Sequence, residues 1–332
     1  MAHKPHPQRK RRWLFLILLA PLIGLAVYGF MPLSPPQTPF QFTLKNGSTL
    51  RSAAGHMAEV GILKNPPIFV VLARALGKAG AVKAGTYELE RPISPLNLLL
   101  LITRGEARLD SITFVEGWTF RQMRTALDTH PAVAHTLGSI GEKQLPELLG
   151  VEEPSVEGLF FPDTYFFSHG TKDVDILRKA RAAMQSQLTT QWLSRRSDLP
   201  IATPYEALIV ASIVEKETGR EQDRPLVAAV LMNRLRLGMR LQVDPTVIYG
   251  LGDKFDGNLR KRDLIADQPY NTYVRVGLPP TPICMPGLSS LSAVLRPADN
   301  SALYFVSRGD GSTHFSSSLS AHEQAVNKYQ KP

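Results

Sequence analysis

Residues 207–250 decide the fold, and they read ALIVASIVEKETGREQDRPLVAAVLMNRLRLGMRLQVDPTVIYG. The stretch is unusual because it places carboxylates within an apolar helical segment. Directly before it, TPYE at 203–206 has the pattern of a capping box with proline at the first helical position. We therefore expect a helix from Pro204 to about Thr218, where Gly219 can end it.

Two glutamates near the end of this helix, Glu215 and Glu217, are the candidates for chemistry. At about 100° per residue their side chains point roughly 200° apart, so they cannot serve one site from the same face. Glu217 shares its face with larger apolar side chains than Glu215 does, those at positions 210, 213 and 214. We expect Glu217 to be the functional group.

A carboxyl group on an apolar face is poorly hydrated when charged, which raises its pKa toward neutral pH. A group with such a pKa can donate a proton in general acid catalysis. Glu217 is therefore predicted to be a catalytic acid. The alternative from the residues alone is that Glu217 is an exposed surface group or pairs with a nearby arginine.

Four blocks of sequence carry a resemblance to a known family. They are EGLFFPDTY at 157–165, EKET at 215–218, LMNRLRLGMRLQVDPTVIYG at 231–250 and PYNTYVRVGLPPTPICMPG at 269–287. In order and spacing they resemble the YceG-like family of endolytic murein transglycosylases, and the similar blocks span roughly residues 110–330. In that family the catalytic acid is the second glutamate of EKET, which implies Glu217.

The resemblance also implies a reaction. In lytic transglycosylases one glutamate protonates the glycosidic oxygen and then takes the proton from the C6 hydroxyl of muramic acid, which closes on C1. The product ends in 1,6-anhydro-muramic acid, so one carboxylate suffices and no cofactor is implied. A hydrolase would need a second carboxylate. Asp244 is then the leading choice, with Glu157 and Asp163 behind it.

Polar and aromatic residues of the motif blocks make up the predicted substrate-binding set. Amides can read hydroxyl and N-acetyl groups, tyrosine rings can stack on sugars, and arginine can hold a lactate or peptide carboxylate. Each also has a structural alternative, such as a helix cap through the aspartate or a surface ion pair of the arginine. The set is Asn233, Arg234, Gln242, Asp244, Tyr249, Tyr270, Asn271 and Tyr273.

The N-terminus is predicted to anchor the chain in a membrane. Residues 13–31 carry no charge over 19 positions, which is enough to span a bilayer. The short segment before them holds five basic residues and no acidic one, so the positive-inside rule leaves it in the cytoplasm and exports the rest. A cleaved signal peptide is the alternative, although no small-x-small cleavage site follows.

Composition excludes some classes of function. The chain has 332 residues and a formal net charge of +9, of which the basic N-terminus supplies +5, leaving +4 for the rest. That surplus suits an anionic polymer such as peptidoglycan and is too small to indicate nucleic acid. Cys284 is the only cysteine, so no intrachain disulfide can form, and we expect it to pack rather than react. The spacing of the histidines, best at His130 and His135, predicts no metal site.

The expected fold class is α+β, with an N-terminal transmembrane helix and two domains. Residues 1–12 form a cytoplasmic tail, 13–31 the transmembrane helix and 32–39 an extended proline-rich linker. Residues 40–108 read as strand, helix, helix and strand, and KAGTYEL at 83–89 resembles the LysM-like subdomain of the family, which could bind sugar or act as a spacer. Residues 109–330 form a larger mixed catalytic domain, including a hairpin whose turn contains Asp-Gly at 310–311.

The resemblance further implies a place of action and partners. It implies an inner-membrane enzyme whose catalytic domain faces the periplasm and cleaves inside nascent peptidoglycan strands, close to the glycan polymerases. The expected partners are peptidoglycan, the membrane and those polymerases. Two other functions stay open, namely a peptidoglycan hydrolase that uses Glu217 with a second carboxylate, and a non-catalytic cell-wall-binding protein.

Overall fold

The computed structural model describes residues 7–45, 47–105 and 109–330, with side chains described from residue 19 onward. The chain divides into two compact units. One takes in the described residues up to Asp110 together with Phe166–Gly170, and the other takes in Ser111–Tyr165 and the described residues from Thr171 onward. Each unit has its own buried apolar core.

The first unit is built on a two-stranded antiparallel sheet. Strands β1 and β2 pair in register from Phe40 opposite Leu89 to Leu44 opposite Gly85. The ring of Tyr87, which is fully buried, stacks on Phe42 with ring centroids 5.5 Å apart. The elements are α1 (Pro7–Phe30), β1 (Phe40–Leu44), α2 (Leu50–Glu59), α3 (Pro66–Ala75), β2 (Gly85–Leu89) and α4 (Pro95–Arg104).

Local sequence signals explain the ends of the helices in this unit. Ser94 caps α4 because its hydroxyl accepts the Asn97 amide at 3.2 Å, and Gly105 ends the helix with a φ of 78°, a value that favours glycine. The predicted order of strand, helix, helix and strand is present between Phe40 and Leu89.

The N-terminal segment contains helix α1, which runs from Pro7 to Phe30. Among the described residues, no helix is both long and apolar enough to cross a membrane. Part of the predicted transmembrane segment, residues 13–18, falls outside the residues whose side chains are described. The predicted linker is not free along its whole length, because the backbones of Leu33 and Ile93 pair with each other.

The second unit is mainly helical, with short strands in pairs. Strand β3 pairs with β5, β4 pairs in parallel with β6, and β7 pairs in antiparallel fashion with β8. The chain therefore has the expected mixed α+β fold. The elements from Asp110 onward are β3 (Asp110–Thr113), α5 (Phe120–Thr129), β4 (Val133–Ala134), α6 (Leu145–Leu149), β5 (Thr164–Phe167), β6 (Thr171–Lys172), α7 (Asp173–Leu193), α8 (Pro204–Glu217), α9 (Arg224–Arg236), α10 (Asp244–Leu251), α11 (Lys261–Ile265), α12 (Leu288–Leu295), β7 (Tyr304–Ser307), β8 (Thr313–Ser316) and α13 (Leu319–Tyr329).

Helix α8 lies at the centre of the second unit. It starts at Pro204 with the predicted capping box, in which Thr203 accepts the Glu206 amide at 3.1 Å. All of residues 207–214 are buried, and the helix packs against α7, α9, α10 and α12. Because α8 is surrounded on every side, the expectation that one apolar face distinguishes Glu217 from Glu215 needs correction. The two glutamates differ in what their carboxylates contact.

The predicted hairpin near the C-terminus is present as β7 and β8. Its turn holds Gly309 and Gly311, both with a φ of 82°, and the Asp310 carboxylate accepts the Ser312 amide at 2.8 Å. The RGD tripeptide at 308–310 is therefore part of a tight turn. This hairpin and α13 supply one wall of the site described next.

Candidate active site

The Glu217 cleft is a depression of about 530 Å³ at the carboxyl end of α8. Four members of the predicted substrate-binding set line it together with Glu217, namely Arg234, Gln242, Asp244 and Tyr273. Burial, and next the negative charge of Asp244, raises the pKa of Glu217 from its ordinary value to about 7. A carboxyl group with this pKa can both donate and accept a proton near neutral pH.

Asp244 is held in the cleft by Tyr273, whose hydroxyl donates to Asp244 Oδ1 at 2.6 Å. Although Asp244 is the first residue of α10, Val243 takes the N-cap position and no side chain makes a cap hydrogen bond there. The alternative that Asp244 caps a helix is therefore wrong. The buried hydroxyls of Thr246 and Thr272 lie 2.9 Å apart and tie the start of α10 to the segment that carries Tyr273.

Arg234 is buried, and it holds the protein rather than reaching outward. Its Nε donates to the Leu303 carbonyl at 2.6 Å, and its Nη1 donates to the Leu241 carbonyl at 2.8 Å and to Gln242 Oε1 at 3.2 Å. These bonds give Arg234 a scaffold role in place of the predicted bidentate grip on a substrate carboxylate.

Gln242 has a strained backbone. Its φ of 51° lies in the left-handed region, and it is the one non-glycine residue with positive φ in the described part of the chain. Its amide donates to the Thr272 carbonyl at 3.1 Å, and its exposed side chain lines the Glu217 cleft. Strain of this kind persists where the surroundings impose it and is common at functional sites.

Tyr304 and His322 form a wall of the cleft that the sequence motifs did not reveal. Their rings stack with centroids 5.1 Å apart and an interplanar angle of 21°, and both line the cleft with Glu217. Within the described residues the buried His322 Nδ1 has no hydrogen-bond partner. Burial, and next the charge of Arg234, lowers the pKa of His322 and so favours the neutral form of the ring. No motif could identify these residues, because β7 and α13 reach the cleft only through the tertiary fold.

Glu215 faces a different environment from Glu217. Its Oε1 accepts from Arg224 Nη2 at 3.1 Å, and its Oε2 accepts from the Gly287 amide at 2.9 Å. The side chains of this ion pair are only 5% and 10% exposed. Gly287 is the N-cap residue of α12, so Glu215 fastens α8 to the start of α12. Glu215 is therefore a structural residue.

A second depression, the Glu157 cavity, measures about 680 Å³ and contains two more predicted residues, Tyr249 and Tyr270. Glu157 is 5% exposed and accepts from the Phe120 amide at 2.9 Å and from the Tyr249 hydroxyl at 3.0 Å. Burial raises its pKa to about 7. Neither tyrosine lines the Glu217 cleft, so the structure divides the predicted set between two cavities.

The position of Glu157 depends on the glycine that follows it. Gly158 has a φ of 77°, and a Cβ there would lie 2.4 Å from the Cβ of Pro282. The motif blocks at 157–165 and 269–287 therefore meet at a point where only glycine fits. Asp163, the other carboxylate considered, is exposed and lines neither cavity.

Asn233 and Asn271 serve the scaffold, because their amide groups bind backbone carbonyls. Asn233 Nδ2 donates to the carbonyls of Asn300 at 2.7 Å and Ala302 at 3.0 Å. Asn271 is fully buried, and its Nδ2 donates to three carbonyls, the shortest bond being 2.7 Å to Ala266. The structure does not bring either residue to the Glu217 cleft, which corrects the expectation that they read the substrate.

Two other reactive groups have structural surroundings. Cys284 is fully buried and its thiol donates to the Ser212 carbonyl at 3.3 Å, and burial raises the pKa of that thiol. Asp128, His135 and Asp173 bring possible metal-ligand atoms within 4.8 Å of one another. The carboxylate of Asp173, however, already accepts the backbone amides of residues 136, 137 and 174, so it is engaged in holding the chain.

Known proteins resemble this chain over most of its length. The sequence profile of the YceG-like family matches residues 42–328. A Bacillus subtilis protein named endolytic murein transglycosylase is 28% identical over 327 residues, covering 92% of this chain and 90% of that protein. One of the same name from Streptococcus pneumoniae is 27% identical and is covered over 64% of its own length. The crystal structure of a YceG-like protein from Listeria monocytogenes matches 86% of this chain with a TM-score of 0.54 and 25% identity.

Proposed function

Because this chain belongs to the YceG-like family, we propose that it is an endolytic murein transglycosylase, a lyase that cuts peptidoglycan strands between N-acetylmuramic acid and N-acetylglucosamine. The relatives named endolytic murein transglycosylase support this assignment. The observation that carries it is Glu217 in an open cleft, with its pKa raised to about 7 beside Asp244.

Glu217 supplies both proton transfers of the reaction. In the first step protonated Glu217 gives its proton to the glycosidic oxygen as the bond to C1 breaks, which leaves positive charge at C1 and a carboxylate on Glu217. In the second step the C6 hydroxyl of the muramic acid attacks C1 and Glu217 takes the hydroxyl proton. The products are a 1,6-anhydro end and a free hydroxyl on the leaving sugar, and no water is consumed.

The surroundings of Glu217 suit an acid that must also act as a base. A carboxyl group with an ordinary pKa would be ionised at neutral pH and could not donate, whereas one with a pKa near 7 exists in both forms. The carboxylate of Asp244 adds negative charge that stabilises the positive C1 centre. Tyr273 holds Asp244 in place through the 2.6 Å hydrogen bond.

Hydrolysis is the second candidate function, and one observation favours it. Asp244 lies in the same cleft as Glu217, and its side chain is exposed, so it could activate a water molecule or attack C1. A muramidase of this kind would leave reducing muramic acid ends. Glu157 is not available for this role because it lines the other cavity.

We further propose that residues 13–31 anchor the enzyme in the inner membrane, with the N-terminus in the cytoplasm and the catalytic domain in the periplasm, near the glycan polymerases. The uncharged segment and the basic residues before it support this. The exposed apolar side chains of Leu19, Leu22, Ile23, Val27, Phe30 and Met31 also support it. N-terminal sequencing should find residues 1–31 retained, and a trimmed, soluble form would exclude the anchor.

The first unit is proposed to be LysM-like. Its order of strand, helix, helix and strand and the antiparallel pairing of β1 with β2 support this proposal. Such a unit can bind an amino-sugar polymer or hold the catalytic unit at a distance from the membrane. A pull-down assay with isolated peptidoglycan distinguishes these roles. If the unit binds the polymer, replacing its surface polar residues should reduce the amount of peptidoglycan bound, and if the unit is a spacer, the amount should not change.

Replacement of Glu217 by glutamine tests the proposed chemistry. The amide keeps the shape of the side chain but has no proton to transfer, so turnover of purified glycan strands should fall by roughly 10² to 10⁴. The fold should survive, because Glu217 is the last residue of α8 and its side chain lines an open cleft. Release of soluble fragments and circular dichroism measure the two effects.

The neighbouring Glu215 provides the comparison. Glu215→Gln removes the charge that Arg224 requires in a buried ion pair, which should lower the free energy of unfolding by on the order of 3 kcal/mol. Activity per folded molecule should stay close to that of the parent. The assignment would be reversed if Glu215→Gln abolished cleavage in folded protein while Glu217→Gln did not.

A further inference from the structure

The Glu157 cavity has no role in the proton transfers, yet it is larger than the Glu217 cleft. Glu217 lines the Glu217 cleft, whereas the residue before it, Lys216, lines the Glu157 cavity. In the same way Asp244 lines the cleft, and the next residue, Pro245, lines the cavity. The last turn of α8 and the first turn of α10 therefore separate the cavities. A strand bound at Glu217 would have to pass this partition to reach the Glu157 cavity.

The tyrosines of the Glu157 cavity are held rigidly. The rings of Tyr249 and Tyr270 meet edge to face, with centroids 4.9 Å apart and an angle of 64°. Each hydroxyl is also anchored, that of Tyr249 on Glu157 Oε2 at 3.0 Å and that of Tyr270 against the Thr281 hydroxyl at 2.8 Å. Fixed aromatic rings with satisfied hydroxyls lose little entropy on binding and suit the apolar faces of sugar rings.

The Glu157 cavity is lined by two basic residues, Arg121 and Lys216, and by three acidic ones, Glu142, Glu157 and Asp253. Arg121 pairs with Asp253, and both oxygens of Glu157 accept hydrogen bonds from the protein. Lys216 makes one long hydrogen bond, 3.4 Å from Nζ to the Gly117 carbonyl, and its side chain is exposed. Lys216 can therefore turn toward a ligand oxygen. Mixed and largely paired charges suit a neutral ligand rich in hydroxyl and amide oxygens better than a strongly charged one.

We propose that the Glu157 cavity is a second saccharide site, which binds neutral N-acetylated amino-sugar residues of the strand beyond those held in the Glu217 cleft. This inference rests on the proposed function and extends it to substrate binding. An enzyme that cuts inside a strand must hold sugar on both sides of the broken bond, and the cavity offers a place for one side. Its volume of about 680 Å³ is within the range of sites for small ligands.

Binding can be observed at this site directly, without cleavage. The probe is chitotetraose, the neutral tetramer of β-1,4-linked N-acetylglucosamine, titrated into full-length Glu217→Gln protein with ¹³C-labelled isoleucine methyl groups. Ile248 and Ile283 line the cavity, whereas Ile209 is buried in α8 and lines neither cavity. We expect saturable shifts of the Ile248 and Ile283 signals and little change at Ile209. Shifts that spare Ile248 and Ile283 would overturn the proposal.

Kinetics on long glycan strands provide the second measurement. Ile248→Trp fills the cavity, and Lys216→Gln removes an exposed donor with little risk to the fold. Each should raise KM by about tenfold, the loss expected for one weakened subsite, with a much smaller effect on kcat. The exposed Lys179 on α7 is the matched control, and Lys179→Gln should leave KM as it is. Parental KM in both cavity variants would contradict the proposal.

Failure of this inference can be told apart from failure of the proposed function. If the parent protein cleaves strands but the Ile248 and Ile283 signals do not shift on addition of chitotetraose, only the second site is excluded. If the parent does not cleave strands but those signals respond, the cavity binds amino sugars and the proposed activity is wrong.

Discussion

At the scale of single residues, the chemistry depends on what surrounds two glutamates that lie two positions apart. Glu215 is tied to Arg224 and to the Gly287 amide, whereas Glu217 faces a cleft with Asp244. Helical geometry correctly placed them on different sides. It could not identify the partners, because Arg224, Gly287 and Asp244 come from other elements. For the same reason Asn233 and Asn271, plausible as sugar ligands in the sequence, hold loops instead.

The pH dependence of catalysis should follow Glu217. The group must be protonated to donate, so kcat/KM should fall as pH rises through about 7. Asp244→Asn removes one of the two causes of the raised pKa, so the falling limb should move to lower pH. It should stay above the ordinary glutamate range, because burial is the larger cause. Profiles of kcat/KM from pH 5 to 9 measure this. The account would be contradicted if the fall of kcat/KM in Asp244→Asn occurred at the same pH as in the parent or at a higher pH.

His322, which lines the Glu217 cleft, should contribute to substrate binding. His322→Phe keeps the stack on Tyr304 but removes the buried Nδ1 that has no partner among the described residues. We expect the free energy of unfolding to rise by about 1 kcal/mol and kcat/KM to fall by about tenfold. Thermal unfolding and strand cleavage measure the two. A less stable variant with parental kcat/KM would mean that His322 is only structural. His314→Phe, outside the cleft, is the control.

At the scale of elements, the sequence predicts helices that carry their own end signals and misses those that depend on packing. The capping box places the start of α8 at Pro204, and the Asp-Gly turn locates the hairpin of β7 and β8. Helices α10 and α12 have only eight residues each; the sequence indicates α10 only through the alternative of a helix cap at Asp244, and no helix is predicted at α12. Helices this short are stable only through tertiary contacts. Helix α13, for which the sequence analysis also predicts no element, lines the Glu217 cleft together with the first residue of α10.

At the scale of the whole molecule, each unit has a separate core, and the second contains both cavities. The motif blocks, which are far apart in the sequence, all lie in this second unit. They could not indicate that the tyrosines divide between two cavities, because this depends on which side of α10 each ring faces. The proposed division, with one cleft for chemistry and a second for sugar, would suit a polymer better than a small substrate.

The chemical nature of the product ends tests the central claim most directly. The measurement is mass spectrometry of fragments released from purified glycan strands by the full-length protein. Under the proposed mechanism Glu217 performs both proton transfers without water, so the fragments should end in 1,6-anhydro-muramic acid, lighter by one water than hydrolytic ends, and internal cuts should give mixed lengths. Reducing muramic acid ends would contradict the account, since they require an activated water and a second catalytic carboxylate in the cleft.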